Sequence, residues 1–492
     1  MSSLLKPGAT LSQRVVRGGL WVFSLKLINR LFGLASTIIL ARVLAPGDFG
    51  LFGIALLAMS ALETFTQTGL NSALIQKKQD ITAYLDTAWT FQAIRGCLLA
   101  LILFATAPYV ADFFGTQAAQ PILQVIGLTI LIQGLTNIGV IYFDKELEFH
   151  KQFAYQVSYT LANAGVAISM VLLLRSVWAL VFGLLAGNLA QLIVSYFIHP
   201  YRPRPRFNQE QFTELFHFGK WYLGSSILMY LVTQGDNIVV GKLLGATALG
   251  FYQLAYRISN MPATEITHVI SQVTFPAYSK LQDNIPKLRE AYLKVLQLTA
   301  FLSFLVAGLI FVLGSDFTTI FLGEKWLPMV PAMQLLVFAG LLRSIQATAG
   351  AIFGAIGKPF FGTQGEFLRL FTLAMLIYPF TIRYGILGTS VAVLASILTS
   401  SIFYSIKVIN ITCCSIKEYG NVIVFPLISA ISMILVINYL MSCHNTGNIF
   451  GLFFFAISCN IVYLGITYIF DRLLDYKIFF LLKQQLGLLR GN

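Results

Sequence analysis

Apolar stretches of some twenty residues recur from Gly18 to Phe470 with only short polar breaks between them. A bilayer core needs about 20 apolar residues per helical span, so the recurrence carries the chain through a membrane many times. Hydrocarbon offers backbone N–H and C=O groups no water, which leaves helices or a closed barrel as the spanning structures. Runs such as Leu298 to Leu313 lack the period-2 alternation of a barrel strand, so helices are expected. Composition agrees: 57% of the 492 residues are hydrophobic and 11% charged, against roughly 45–50% and about 25% in soluble domains.

The reading is an all-α integral membrane protein with about 14 transmembrane helices, at 18–40, 49–72, 88–109, 121–143, 153–174, 177–198, 216–240, 249–272, 294–314, 329–353, 364–382, 385–406, 420–441 and 447–470. A formal charge of +13 raises the question of nucleic acid, and the placement of the basic residues decides it. With both termini in the cytoplasm, 21 of the 33 Lys and Arg fall on the inner side, 5 on the outer side and 7 inside spans. That asymmetry is the positive-inside signature, so the charge reports topology and not a nucleic-acid partner.

The five cysteines form no C-x-x-C and lie in or beside spans, which argues against a disulfide framework or a zinc site. The first apolar stretch is long enough to span, with no A-x-A site after it, and is expected to serve as its own insertion signal. All loops are short, the longest lying between Pro276 and Lys294, so no soluble catalytic domain is expected.

A shift of 200 residues without a gap lays Gly19 on Gly219, Trp21 on Trp221, Leu31 on Leu231, Ile38 on Ile238, Leu44 on Leu244, Gly50 on Gly250 and Ala55 on Ala255. Six spans separate the copies, and an even number keeps both in the same orientation. This is a parallel duplication, with halves related by an axis along the membrane normal. The expected organisation is a six-helix lobe over 1–200, a linker rich in Pro and Arg from His199 to Arg206, a second six-helix lobe over 207–410, two further helices over 418–471, and a cytoplasmic amphipathic tail over 472–492.

The repeated stretch Ala41 to Phe52 (ARVLAPGDFGLF) resembles the amino-terminal signature of the polysaccharide transport family, within the multidrug/oligosaccharidyl-lipid/polysaccharide exporter superfamily. Gln67 to Gln76 (QTGLNSALIQ), Gly235 to Gly245 (GDNIVVGKLLG) and Phe321 to Trp326 (FLGEKW) are similar to other stretches of that family. The resemblance covers most of the chain, weakens after about residue 410 and is closest to the colanic-acid and exopolysaccharide branch. It implies a Wzx-type flippase of the bacterial inner membrane that moves undecaprenyl-pyrophosphate-linked oligosaccharide from the inner to the outer leaflet. It also implies a polysaccharide polymerase and a chain-length regulator as associates.

An anionic pyrophosphate and a hydrated glycan crossing a low-dielectric layer need fixed positive charge and hydrogen-bonding groups inside the membrane. Lys26 and Arg30 stand four residues apart on one face of the first span, with Asn29 beside them. An uncompensated cation at the bilayer centre costs about 2.5–3.5 kcal/mol on insertion scales, so the pair is expected to face an aqueous cavity or an anion. The plainer alternative is a later start to the span, with both side chains snorkelling to the interface. Gln92 with Arg95, Arg343 with Gln346, and Arg257 are the further in-span candidates for phosphate or sugar, against an alternative of ion pairing inside the membrane.

For energy coupling, Glu63, Asp236 and Glu265 are the acids placed to carry a proton or sodium ion, and His268 lies one turn from Glu265. The alternative for Glu63 and Glu265 is a hydrogen bond between helices. Most of the aromatic residues, 14% of the chain, read as lipid-facing or interfacial.

No P-loop is present, since Ile352 stands where the first Walker glycine belongs and Pro359 follows Lys358. There is no H-E-x-x-H and no G-x-S-x-G, and no cofactor or enzymatic activity is expected. A lipid-linked oligosaccharide flippase therefore leads. A peptidoglycan-precursor flippase and a cation-coupled drug antiporter follow, and a membrane polysaccharide polymerase is the remote alternative. The seven in-span basic residues, Lys26, Arg30, Arg95, Lys220, Arg257, Arg343 and Arg369, favour an anionic cargo over a cationic drug.

Overall fold

A computed structural model describes residues 11–67, 69–77, 80–146, 148–261, 274–443, 448–474, 476–481 and 483. Among them every regular element is helical. The chain packs into two compact units, Met1–Gly250 and Phe251–Asn492. That division is one of packing; the lobes expected at 1–200 and 207–410 are defined by the duplication.

In the first unit, α1 (Leu11–Val43) leads into α2 (Pro46–Phe65). The quoted signature builds this junction. Pro46 takes the first turn of α2, where its missing N–H is no loss, and Asp48 accepts from the Ala45 N–H at 3.0 Å. After α2 come a short helix, α3 (Leu70–Gln76), and the long α4 (Thr82–Phe113). α5 (Ala119–Gly134) stops inside the expected fourth span, and a 3₁₀ turn with α6 (Ile141–Lys145) continues at an angle of 67°. α7 (Phe149–Leu174) and α8 (Trp178–Ile198) pack closely against each other, α1 packs on α7, and α5 packs on α2, α4 and α8.

α9 (Gln209–Ser259) runs from the first unit into the second and breaks at Gly245. There φ is +83° and ψ 179°, a conformation essentially confined to glycine, so the expected span at 216–240 and the described start of the one at 249–272 share one helix with a hinge of backbone between them.

The second unit holds α10 (Ile285–Phe317), α11 (Val330–Ala355), α12 (Phe360–Thr412), α13 (Ile416–Cys443) and α14 (Ile449–Leu473). α12 breaks at Gly385 and so covers two expected spans, 364–382 and 385–406. Its core sits around α10, whose buried Phe301 meets Tyr463 of α14; the Tyr463 hydroxyl donates to the Phe301 carbonyl at 2.8 Å.

By length and composition, ten helices among the described residues are able to cross a membrane, or eleven with the bent α5–α6 pair, against the expected 14. Much of the difference lies in α9 and α12, each counted once although each runs through a glycine break.

Candidate functional site

Two helices of the first unit end early, and the same neighbour caps both. α2 stops at Phe65 and α5 at Gly134, each leaving terminal carbonyls without an intrahelical donor. In water such carbonyls are solvated; at membrane depth they need a protein donor or a wet cavity. α4 supplies the donors one turn apart. Arg95 Nη2 donates to the Glu63 carbonyl at 2.8 Å and Arg95 Nε to the Thr66 carbonyl at 3.1 Å, with the Thr66 hydroxyl accepting from both nitrogens. Gln92 Nε2 donates to the carbonyls of Gln133, Gly134 and Thr136 at 3.1, 3.3 and 3.4 Å. A cation also suits the partial negative charge at a helix C-terminus. Broken helices meeting at one level are the geometry in which transporters build their sites.

Beside these ends lies a cavity of about 440 Å³, within the roughly 300–1,000 Å³ of small-molecule sites. Its wall is unusually rich in amides for a membrane bundle: Gln92, Gln133, Asn137, Gln152, Gln156 and Gln191 line it, with Tyr155, Glu63, Arg95 and Asp144. Several of these groups are already engaged. Gln133 donates to Asn188 at 2.9 Å, Gln152 donates to Asp144, and Asn137 donates to the Tyr201 carbonyl at 2.7 Å. Among the described residues, the amides of Gln156 and Gln191 and the Glu63 carboxyl make no hydrogen bond, and all three face the cavity. The charged lining is two carboxyls and one guanidinium, so the chamber is suited to hydroxyls more than to a pyrophosphate.

Of the residues singled out in the sequence, this cavity brings together Glu63, Gln92 and Arg95. Asn29 and Arg30 are half-buried on α1 outside it, and Asn29 accepts from the Thr160 hydroxyl of α7 at 2.6 Å. The side chains of Lys26 and Lys220 lie outside the described residues, as do Glu265 and His268 altogether. Asp236 is buried on α9 and accepts from the Asn237 N–H at 2.8 Å.

In the second unit, Arg343 donates to Asn260 at 3.0 Å and stands 4.9 Å from the Tyr256 ring centre, while Arg257 is exposed. Gln346 is tied to the Ile397 carbonyl and the hydroxyls of Ser400 and Ser401, at 3.1, 2.8 and 2.7 Å, which makes it a bond between α11 and α12. Arg369 is buried with Glu366 at 3.4 Å.

Sequence reasoning passed over Gln133, Asn137, Asp144, Gln152, Tyr155, Gln156 and Gln191. One signal was available: Gln152 and Gln156 stand four apart, on one face of a helix.

The model of a family described as polysaccharide biosynthesis protein matches residues 39–331, more than half of the chain and all of the cavity lining, though not Lys26, Asn29, Arg30 or Arg343. The lipopolysaccharide biosynthesis protein WzxC of Escherichia coli (strain K12) is 26% identical over 345 residues, 70% of this chain and 70% of its own. A membrane protein in the cps region of Klebsiella pneumoniae, described as uncharacterized, is 26% identical over 442 residues, 87% of this chain and 89% of its own. The solved structure of the lipid II flippase MurJ in an inward closed conformation superimposes with a TM-score of 0.76 over 93% of this chain and 99% of that one. Its 15% identity makes that a likeness of fold.

Proposed function

Because the chain belongs to the polysaccharide biosynthesis protein family, we propose that it is a flippase. It moves undecaprenyl-pyrophosphate-linked oligosaccharide repeat units across the bacterial inner membrane for exopolysaccharide, O-antigen or capsule synthesis, by alternating access. The observation that carries the reading is the cavity of about 440 Å³ with unengaged amides inside an apolar bundle. A sugar hydroxyl taken from water without a partner costs roughly 1–3 kcal/mol on protein scales, and an amide side chain offers donor and acceptor from one group. Gln156 and Gln191, on α7 and α8, are the groups we assign to glycan hydroxyls, with the Glu63 carboxylate as a further acceptor. The wall belongs to one compact unit, so every residue of the subsite comes from the first half of the chain.

The pyrophosphate goes to Lys26 and Arg30 in this proposal, because two carboxyls beside one guanidinium do not favour an anion in the amide cavity. Arg257 and Arg343 remain the second-half candidates for the same charge. Coupling to a proton or sodium gradient falls to Glu63, Asp236 or Glu265, and the termini lie in the cytoplasm. A polymerase and a chain-length regulator are the proposed associates. The name of WzxC, a lipopolysaccharide biosynthesis protein, supports the substrate class.

Proteoliposomes carrying a fluorescent lipid-linked oligosaccharide test the proposal. Wild-type protein should flip it, and Gln156→Ala with Gln191→Ala should slow flipping about tenfold or more while insertion stays normal. A wild-type protein that moves lipid II in the same vesicles, and not the oligosaccharide, would place it with the peptidoglycan-precursor flippases instead.

A further inference from the structure

The chain between α8 and α9 is bound along α4 as a strap. From His199 to Asn208 it has no regular structure, yet alternate backbone N–H groups are fixed. The Arg204 N–H donates to Asp86 Oδ1 at 3.1 Å, the Arg206 N–H to Thr90 Oγ1 at 3.0 Å and the Asn208 N–H to Thr87 Oγ1 at 3.3 Å. Pro203 precedes the first of them and Pro205 falls between the first two, where a residue without an N–H leaves no donor unmet. The Tyr201 hydroxyl also donates to Asp86, and the Tyr201 N–H to His199 Nδ1 at 3.2 Å.

This attachment holds three arginines outward in register. Arg202, Arg204 and Arg206 are all exposed, and alternate residues of an extended proline-rich chain stand about 6 Å apart. Arg202 turns one nitrogen back to the carbonyls of His199 and Tyr201, at 2.7 and 3.0 Å. The guanidiniums of Arg204 and Arg206 bond no protein atom among the described residues. Aromatic rings bracket the row: Phe197 at the end of α8 is 83% exposed and Phe207 is 53% exposed. Phe197 stands at the end of a helix long enough to span, so the strap that follows it begins at the membrane surface and keeps the row near that level.

We propose that this strap is a docking strip for anionic phospholipid headgroups of the cytoplasmic leaflet, with the guanidiniums of Arg204 and Arg206 as its phosphate-binding pair and Arg202 as an accessory. The occupant follows from charge complementarity at membrane depth: a row of fixed cations flanked by apolar rings faces the one layer that is rich in phosphodiesters. Pinning the backbone to α4 lowers the entropy lost when the row engages several headgroups, which distinguishes it from loose basic loops. The inference rests on the positive-inside orientation and is independent of the cargo the protein carries.

The full chain in phosphatidylcholine nanodiscs containing one quarter phosphatidylglycerol tests it, with retained phosphatidylglycerol read by native mass spectrometry. The variant R202Q/R204Q/R206Q should hold at least about fivefold less phosphatidylglycerol. The control K280Q/K287Q/K417Q removes the same charge from exposed positions elsewhere on the inner side and should match wild type. The pair D86A/T90V keeps every arginine while freeing the strap, and should shorten phosphatidylglycerol residence. Equal losses in the two triple variants, or unchanged retention in the strap triple, would overturn the proposal. Inorganic phosphate that displaces phosphatidylglycerol at equal concentration would also overturn it, because the strip would then be a phosphate site and not a lipid dock. All three strap arginines are exposed, and a monodisperse elution profile separates lost binding from lost folding.

Discussion

Gly50 of α2 and Gly250 of α9, 200 residues apart and aligned by the internal repeat, each make room for the other's helix. A Cβ on Gly50 would lie 1.6 Å from the Ala246 carbonyl oxygen, and a Cβ on Gly250 would lie 2.0 Å from the Pro46 carbonyl oxygen. Each glycine thus opposes the residue four before its counterpart, a reciprocal crossing of small-xxx-small faces. Gly47 faces the Thr247 hydroxyl in the same way, at 3.2 Å from an added Cβ.

Alanine at either glycine should therefore force the two helix starts apart. Gly50→Ala and Gly250→Ala are each expected to destabilise by about 1–3 kcal/mol or more, since backbone cannot swing aside as a side chain can. The double variant should cost less than the sum, because the first substitution already separates the helices. Thermal unfolding in detergent measures both, and full additivity would show that the two close approaches are independent.

Arg95 bonds main-chain carbonyls, so its loss should be structural. Arg95→Ala takes the guanidinium donors away from the Glu63 and Thr66 carbonyls and is expected to cost about 1–3 kcal/mol. Adding Glu63→Gln should not restore stability, because the bonds are to the backbone and not to the carboxylate. Arg95→Lys should restore only part of it, since an ammonium lacks the planar fork. Recovery of wild-type stability in the Arg95→Ala/Glu63→Gln double variant would point to a charge pair instead.

His199 makes the strap sensitive to pH. Its ring stacks on Tyr142 at 5.5 Å with 2° between planes, and its Nδ1 accepts from the Tyr201 N–H, a bond that only neutral imidazole makes on that nitrogen. Burial, then the charge of Lys151, hold its pKa below the usual histidine value. The unfolded chain therefore takes up the proton first as pH falls. The stability from neutral His199 is complete above about 6.5, and is lost as pH drops from there through the lowered folded value. The melting temperature should fall from pH 7 to pH 5 by more in wild type than in His199→Asn. Parallel profiles would remove histidine from the account.

Among the described residues the side chains of Gln156 and Gln191 line the cavity without a protein partner, so removing them should spare stability and affect transport. Single alanine variants are expected to melt within about 0.5 kcal/mol of wild type while polysaccharide export drops severalfold. A large loss of stability with export intact would make them structural.

The repeat register was legible because small residues stand at matched positions 200 apart, and Gly50 with Gly250 shows what those two positions are for. The helix start at Pro46 was legible too, since Ala-Pro-Gly-Asp carries its own cap. The cavity was not. Gln92 and Arg95 read in the sequence as candidates for phosphate or sugar, and in the fold they line the cavity while also donating to the ends of α2 and α5. Gly134 and Asn137 are local stop signals for α5, and Asn137 caps the turn that follows, but they are weak inside an apolar stretch of spanning length, and the close packing that the bend permits becomes visible only with α4 and α8 around it.

By itself the sequence determined that the chain is a many-helix membrane protein, because hydrophobic length is a linear property; the repeat register and the loop charge that point to a parallel duplication and to sidedness are linear properties too. Only the tertiary structure decided which polar groups remain available. A buried amide or guanidinium is a ligand-binding group when its partners are elsewhere and a helix cap when a broken helix lies within 3 Å, and that distance is set by packing between segments far apart in the chain.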